Sequence, residues 1–361
     1  MYAQIAEFEG VLWMKQPPRI SLDAMGGDHA PEIIVQGADR AFAAYPDISL
    51  IFVGDERKIS PLLKKTRYMK EAEIHHTDEA VAPEAKPSQA LRAGKNTSMW
   101  RAIELVANGE VDAVVSAGNT GALMAMSKLQ MRMIEGVTRP AIAGFFPNPY
   151  GQSCVLDLGA NIECDAENLI QFAIMGSAFY RDIHGGVSPS VGLLNVGEED
   201  QKGFDYLREA AAVLGADSLN LNYHGFVEGS DIAGGKVDVV VTDGFSGNVA
   251  LKTAEGVADL FQGGLRAAFS ENISTRLGFL LARSGLRRFR HKLDPRRYNG
   301  AVFLGLNGIS VKSHGGTDAF GFSNAIGVAV HMLQQGFIPE VKSAIHKARY
   351  ILNKGINDRD E

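Results

Sequence analysis

Five times along this chain a short, β-rich apolar run stops abruptly at a turn built from Gly, Asn, Asp or Ser, and no other feature restricts the fold as much. The segments are LDAMGGDHAP at 22–31, VDAVVSAGNTGALMAM at 111–126, VLDLGAN at 155–161, LLNVGEED at 193–200 and VVVTDGFSGN at 239–248. In the second, Val111, Val114 and Val115 favour a strand, whereas Thr120 through Leu123, Met124 and Met126 have the composition of a buried helix. Between them Ser116–Gly121 is a turn of small residues. Its glycines let backbone approach a ligand, Asn119 and Thr120 are good N-cap residues, and free N–H groups at a helix start attract anions. In a parallel sheet such strand ends gather along one edge, where open α/β sheets bind ligands.

The rest of the chain alternates in the same way. Strands are expected at 20–23, 49–53, 73–76, 141–146, 153–158, 190–196, 219–223 and 237–242, with helical patterns between most of them. Pro147-Asn148-Pro149-Tyr150-Gly151 reads as a hairpin or short connection, and residues 77–95, with two prolines and little periodicity, as a mobile loop over the strand ends. Successive βα units imply a three-layer α/β/α fold on a mainly parallel sheet. At 361 residues and 45% hydrophobic content, the chain can bury a core in one large domain or two closely joined ones. Residues 19–351 are taken as one domain, between an N-terminal extension at 1–18, in which Met14 is an alternative start, and a polar tail at 352–361.

One stretch breaks the alternation. From Asn248 to Leu293 no β-like run occurs, so two long helices are expected to leave the sheet and return, an excursion over 249–298. Residues 276–297 hold eight Lys or Arg against the single acid Asp294, a net +7 in a chain of net −6. Leu280 and Leu281 lie beside Arg283, Arg287, Arg288 and Arg290. Such a helix suits an anionic membrane surface, an acidic protein partner or the apolar face of a second subunit.

Several classes are disfavoured. There is no GxxxxGK[ST] and no GxGxxG after the first strand, so a P-loop or dinucleotide site is not expected. No His/Cys/Asp cluster has metal spacing, and neither metal nor cofactor is expected. The two cysteines, Cys154 and Cys164, read as packing residues. No apolar run reaches membrane-spanning length, and the first 13 residues lack signal-peptide character.

Six motifs in order carry a resemblance to a known family: ISLDAMGGDHAP at 20–31, VSAGNTGALM at 115–124, LDLGAN at 156–161, GLLNVGEE at 192–199, VVTDGFSGNVALKT at 240–253 and GLNGISVKSHG at 305–315. From about Arg19 to Tyr350 the chain resembles the bacterial phosphate acyltransferases, which make acyl phosphate from acyl-[acyl carrier protein] and inorganic phosphate. The resemblance implies a phosphotransacetylase-like α/β/α fold, a homodimer, and a role in starting phospholipid synthesis. It further implies a cytoplasmic enzyme, peripherally associated with the inner membrane, that hands acyl phosphate to a membrane glycerol-3-phosphate acyltransferase. The basic excursion then has acyl carrier protein or the membrane surface as partner, and no nucleic acid is expected.

The chemistry itself asks for little. Phosphate is already anionic and the leaving thiol has a pKa of about 8.5, so neither a strong base nor a strong acid is essential. Anion binding, alignment and oxyanion stabilisation are needed instead. Ser116, Gly118, Asn119, Thr120 and Gly121 on one segment, with Asp243, Gly244, Ser246, Gly247 and Asn248 on another, are expected to cradle phosphate. Lys252 or His314 would counter its charge, and His29 is a candidate acid for the departing thiolate. Asp23, Gly26, Gly27, Asn161 and Asn195 complete the strand-end set, while Lys202 and Lys312 remain unranked phosphate candidates. Two other readings stay open: a short-chain acyl-CoA phosphotransacylase, and a non-catalytic membrane-surface scaffold.

Overall fold

The computed structural model describes residues 17–216, 219–292 and 294–357; the extension through residue 16, Met14 included, lies outside them. The chain opens β1 (Arg19–Asp23), α1 (Glu32–Ala44), β2 (Ser49–Gly54), α2 (Glu56–Leu63), β3 (Glu73–His76), α3 (Pro87–Ala93), α4 (Ser98–Ala107), β4 (Ala113–Ser116) and α5 (Thr120–Met131). It continues through β5 (Ala141–Asn148), β6 (Gly151–Leu156), α6 (Ala166–Ile183), β7 (Ser190–Leu194), α7 (Asp205–Leu214), β8 (Asn222–Val227), α8 (Gly229–Gly234) and β9 (Val239–Val241). Two long helices, α9 (Gly244–Ser270) and α10 (Ile273–Lys292), precede β10 (Ala301–Leu304), β11 (Ile309–Lys312), α11 (Ala319–Gln335) and α12 (Phe337–Asn357). The helix α12 therefore runs into the stretch expected to be a polar tail.

Contacts divide the chain into two compact units. The first comprises the described residues through Ile134, Arg181–Gly186 and Leu306–Ser343. Its strands lie in the order β3-β2-β1-β4-β11, all parallel, so their C-terminal ends share one edge. β1 has neighbours on opposite sides reached by opposite routes, β2 and β4, which makes the gap between β1 and β4 a switch point where α/β sheets bind ligands. The strands are apolar on both faces: Ile20, Leu22, Phe52, Val114 and Val311 are fully buried.

The second unit comprises Glu135–Tyr180, Val187–Gly305 and the residues from Ala344. Its strands run β10-β5-β6-β9-β7-β8, with β5 antiparallel to both neighbours and β6, β9, β7 and β8 parallel. The β5–β6 pair is the hairpin read around Pro147–Gly151. Only the start of α9 is buried, at Gly244 and Gly247; beyond it α9 and α10 pack chiefly on each other. Phe261 meets Phe289 with ring centroids 6.4 Å apart, and Phe269 meets Phe279 at 5.4 Å. That residues 19–351 unfold as one domain stands as a proposal, which coincident transitions by two spectroscopic probes would support.

The loop expected over 77–95 is more ordered than its composition suggests. Pro87 starts α3, and the Lys86 and Gln89 pair closes its first turn. Glu79 bridges Thr97 in parallel fashion, and the Ser98 N–H donates to the Glu79 carbonyl at 2.9 Å. Pro87 is a helix-starting signal here, while the Pro83 carbonyl accepts from the Asn119 amide.

Candidate active site

In the first unit, three strand-end loops converge: Met25–His29 after β1, Ser116–Gly121 after β4 and Ser313–Gly316 after β11. Asp28 N–H donates to the Gly315 carbonyl at 3.0 Å, and Ser313 N–H to the Ser116 carbonyl at 2.8 Å. Gly26 lies so close to its neighbours that a Cβ there would stand 2.4 Å from an Asp23 carboxylate oxygen and 2.8 Å from the Gly118 nitrogen. Protein packing requires a glycine at this position. Gly27, at φ 109°, sits against Ala117 and the Gly315 carbonyl.

Beneath these loops lies Asp23, fully buried. The Ser98 hydroxyl donates to its Oδ1 and the Ser116 hydroxyl to its Oδ2, both at 2.6 Å, and Ser116 Oγ in turn accepts the Gly118 N–H at 3.0 Å. Burial raises the Asp23 pKa, against the lowering pull of the two serines, the Met25 N–H and the nearby Lys312. Asp23 and Ser116 thus anchor the turn from below. Ser98 escaped sequence reasoning altogether, because nothing in TSMW at 97–100 marks a partner 75 residues earlier.

Asn119 has all its side-chain hydrogen-bonding groups engaged. Its Oδ1 accepts the Ala122 N–H at 2.8 Å as the N-cap of α5, and its Nδ2 donates to the carbonyls of Pro83 at 2.7 Å and Ala85 at 3.2 Å. It clasps the 77–97 segment to the turn, and both hydrogens of its amide are engaged there. The N–H groups of Thr120 and Gly121, by contrast, donate to no partner among the described residues and open the 12-residue α5. Lys312, in register with Ser116, reaches its Nζ to within 3.5 Å of the Ala117 carbonyl and also donates to the Ser313 carbonyl. His29 and His314 are exposed on two of the converging loops, and His314 Nδ1 accepts the Gly316 N–H at 3.2 Å.

The second unit gathers the ends of β6, β9 and β7. Asp157, fully buried, receives five N–H donors: Ile142, Gly159 and Ala160 on Oδ1 at 2.9, 3.2 and 3.0 Å, and the backbone and side-chain nitrogens of Asn161 on Oδ2 at 2.7 and 2.9 Å. Asn161 donates further to the Pro140 carbonyl at 2.7 Å and accepts the Gly244 N–H at 2.7 Å. Asp243 caps α9 by accepting Ser246 N–H at 2.8 Å and Ser246 Oγ–H at 3.0 Å. A Cβ on Gly247 would stand 1.9 Å from the Asp157 carbonyl oxygen, so DGFSGN needs its glycines to seat α9 on β6. Asn195 likewise holds its own loop, donating to the Lys202 carbonyl at 3.1 Å and accepting Val196 N–H at 2.9 Å.

Most of the residues expected to cradle phosphate in this unit are engaged by the protein itself. Asp243, Gly244, Ser246, Gly247 and Asn161 spend polar groups on one another or on Asp157, Asn195 spends its side chain on its own loop, and an N-cap carboxylate at the start of α9 opposes a second anion. Asn248 differs: it is exposed beside Gly159, and its amide has no hydrogen-bond partner among the described residues. Lys252 pairs with Glu255 at 2.8 Å on the outer face of α9, and Lys202 with Glu199 at 2.7 Å. The two segments expected to share one phosphate fall in different units. Cys154 is fully buried, which pushes its thiol far up and unsuits it as an acyl carrier. Among the described residues no group of His, Cys, Asp and Glu is arranged to hold a metal ion.

The architecture is an α/β fold of the phosphotransacylase kind. A phosphotransacetylase from Streptococcus pyogenes superposes with a TM-score of 0.58 at 18% identity, over 87% of this chain and 93% of that one. One from Staphylococcus aureus gives 0.56, also at 18% identity, over 87% and 94%. Sequence is more specific. The chain belongs to the fatty acid synthesis protein family, whose model matches residues 18–340. A phosphate acyltransferase of Rhodospirillum centenum is 54% identical over 334 residues, covering 92% of this chain and 94% of that protein. One from Caulobacter vibrioides is 52% identical over 329 residues, covering 91% of each. The chain is therefore an enzyme, a phosphate acyltransferase of lipid synthesis, and the scaffold reading falls.

Proposed function

We propose that the enzyme transfers a long acyl chain from acyl-[acyl carrier protein] to inorganic phosphate, the first step toward phosphatidic acid. The observation that carries the phosphate half is the convergence of two unpartnered N–H groups, Thr120 and Gly121, with the Lys312 ammonium around a turn anchored on buried Asp23. A phosphate oxygen attacks the thioester carbonyl carbon, the carbonyl electrons move onto its oxygen, and collapse of that intermediate expels the thiolate. The free N–H groups hold anionic oxygen and Lys312 counters phosphate charge. His29 or His314 supplies the proton for the thiolate. Asn119 is a positioning residue that holds the 77–97 loop against the turn. Asn248 is a further polar contact for substrate.

The α9–α10 hairpin supports the partner half of the reading. Leu280 and Leu281 are exposed beside exposed Arg283, Arg287 and Arg288; the side chain of Arg290 lies outside the described residues. This surface meets an anionic membrane or the acidic carrier protein, and a homodimer places the enzyme at the inner membrane on the cytoplasmic side, beside the glycerol-3-phosphate acyltransferase. Among the described residues no helix is long and apolar enough to cross a membrane.

The deciding experiment is phosphate-dependent thiol release from palmitoyl-[acyl carrier protein], with acyl phosphate trapped by hydroxylamine and palmitoyl-CoA and acetyl-CoA run in parallel. Hydroxamate from the carrier substrate is the expected result. Turnover confined to acetyl-CoA would identify a short-chain phosphotransacylase instead. Neutralising Arg283, Arg287 and Arg288 together is expected to weaken binding to anionic vesicles or to the carrier, more at low salt than at physiological salt.

A further inference from the structure

Residues 77–97 form a strap that leaves β3 and returns to the start of α4, and its two ends close on each other. Glu79 bridges Thr97, the Thr77 hydroxyl donates to the Asn96 carbonyl, and the Thr97 hydroxyl donates to the Gly94 carbonyl at 2.6 Å. The middle of the strap lies on the anion turn. Asn119 donates to the Pro83 and Ala85 carbonyls, and a Cβ on Gly121 would stand 2.8 Å from Pro87 Cγ. The strap therefore touches one of the two residues whose N–H groups open α5.

Strap and turn also meet below the surface, at Ser98. This first residue of α4 is buried; its N–H donates to the Glu79 carbonyl at 2.9 Å, and its hydroxyl donates to Asp23 Oδ1 at 2.6 Å. The helix is fixed to β1 a second time, by the Ser21 hydroxyl on the Ala102 carbonyl at 2.8 Å. Ser98 is thus a rigid link between the root of the strap and the carboxylate under the turn. With Oδ1 taken by Ser98, Oδ2 receives Ser116, whose oxygen accepts the Gly118 N–H and sets the turn. Met99 packs on the same turn, since a Cβ on Gly118 would stand 2.6 Å from its Cε. A buried carboxylate that loses a donor draws on the nearest other one, and the Lys312 charge already acts on Asp23.

We propose that Ser98 is a positioning residue for phosphate: by satisfying Asp23 Oδ1 it leaves the Lys312 ammonium to the substrate and couples docking of the 77–97 strap to occupation of the turn. The proposal rests on the phosphate site read at Thr120, Gly121 and Lys312. Ser98 acts from beneath that site, through Asp23, without touching substrate. Phosphate and the docked strap then stabilise each other, because both depend on one geometry of the Ser116–Gly121 turn and such coupling is reciprocal. A serine that only starts a helix would affect every step of turnover alike.

The test compares Ser98→Thr with Ser98→Val, two side chains of one shape that differ in the hydroxyl. The KM for phosphate should be about tenfold higher in Ser98→Val than in Ser98→Thr, with kcat and the KM for palmitoyl-[acyl carrier protein] within about twofold of each other. Equal phosphate KM values in the pair, or an equal change in the donor KM, overturn the proposal. A second measurement needs no variant to fold. Arg92 and Lys95 are exposed on the strap, and trypsin cleavage there in the wild type should slow about fivefold in inorganic phosphate against chloride at equal ionic strength, while cleavage at Arg283 and Arg287 is unchanged. Strap cleavage indifferent to phosphate, or slowed equally at all four sites, overturns the coupling and the proposal with it. Failure of the underlying site looks different: wild type that releases no thiol with phosphate strikes the functional reading, and phosphate turnover untouched by Lys312→Ala strikes the anion site. Phosphate turnover that depends on Lys312, with no Thr–Val difference, removes only the role of Ser98.

Discussion

The two strand-end edges of this molecule are made from similar sequences and have opposite uses for their hydrogen bonds. After β4 the N–H groups of Thr120 and Gly121 are left open, and the acid nearby, Asp23, is buried below and held by two serines. After β6 and β9 the donors are consumed: Asp157 takes five, and Asp243 closes the start of α9. A Gly-Asn-Ser turn at a strand end is therefore not in itself an anion site. What distinguishes one is where the neighbouring carboxylate points. Beneath the turn it fixes the loop and leaves the helix start free; at the cap it fills the helix start.

The strongest way to break this contrast is Asp157→Ala. If Asp157 is purely a structural hub, removing it strands several buried donors and should destabilise the fold by about 3–5 kcal/mol, read as the shift of a denaturant midpoint at unchanged m-value. A stable variant that has lost only activity would put Asp157 in the site. On the other edge, Lys312→Ala should leave stability within about 1 kcal/mol and lower kcat/KM for phosphate on the order of 100-fold. Lys252→Ala, on the outer face of α9, should change it less than about twofold; equal losses in the two would erase the distinction between the edges.

Smaller effects sharpen it. Asn119→Ala removes both an N-cap and a loop clasp, so about 1 kcal/mol of stability should go, with faster proteolysis between residues 77 and 97 and a fall in kcat of about tenfold. Intact loop protection with lost turnover would instead give Asn119 a direct role with substrate. Asp182, grouped with the first unit, gives a control outside the strand-end loops. Burial and the neighbouring Glu340 carboxyl raise its pKa to about 8, and one of its oxygens is buried without a hydrogen-bond partner. Because the folded chain holds this proton more tightly than the unfolded chain, stability from this group is greatest below the ordinary carboxylate pKa and declines as pH rises through about 8. Asp182→Asn should flatten that decline, on the order of 1–2 kcal/mol between pH 5 and pH 9, without changing the phosphate KM.

Local pattern went far with this chain. Valine runs ending in glycine turns announced β4, β6 and β9, the loss of β-like pattern after Asn248 announced α9 and α10, and six ordered motifs carried the family. Individual roles were another matter. Asn119 and Asp243 have equal credentials as helix caps in a line of text, yet Asn119 leaves two N–H groups open and Asp243 opposes an anion. Lys312 was indistinguishable from Lys202 until β11 was found paired in register with β4, which carries its ammonium to Ala117. The helix α3 was lost in a loop because two prolines conceal a capped helix start.

The sequence alone determined the alternation of strands and helices, the positions of the strand ends and the enzyme family, because periodicity, capping and turn chemistry act over a few residues. Tertiary structure alone decided which polar groups remain for substrate. Asp23 is held by Ser98 and Ser116, 75 and 93 residues away, Asp157 by Ile142 across a hairpin, and Asn119 by carbonyls 34 and 36 residues earlier. A donor or acceptor is available to a ligand only when no other part of the chain has claimed it. That claim is settled by strand order and burial, which place distant residues within 3 Å of one another and exclude the water that would otherwise compete.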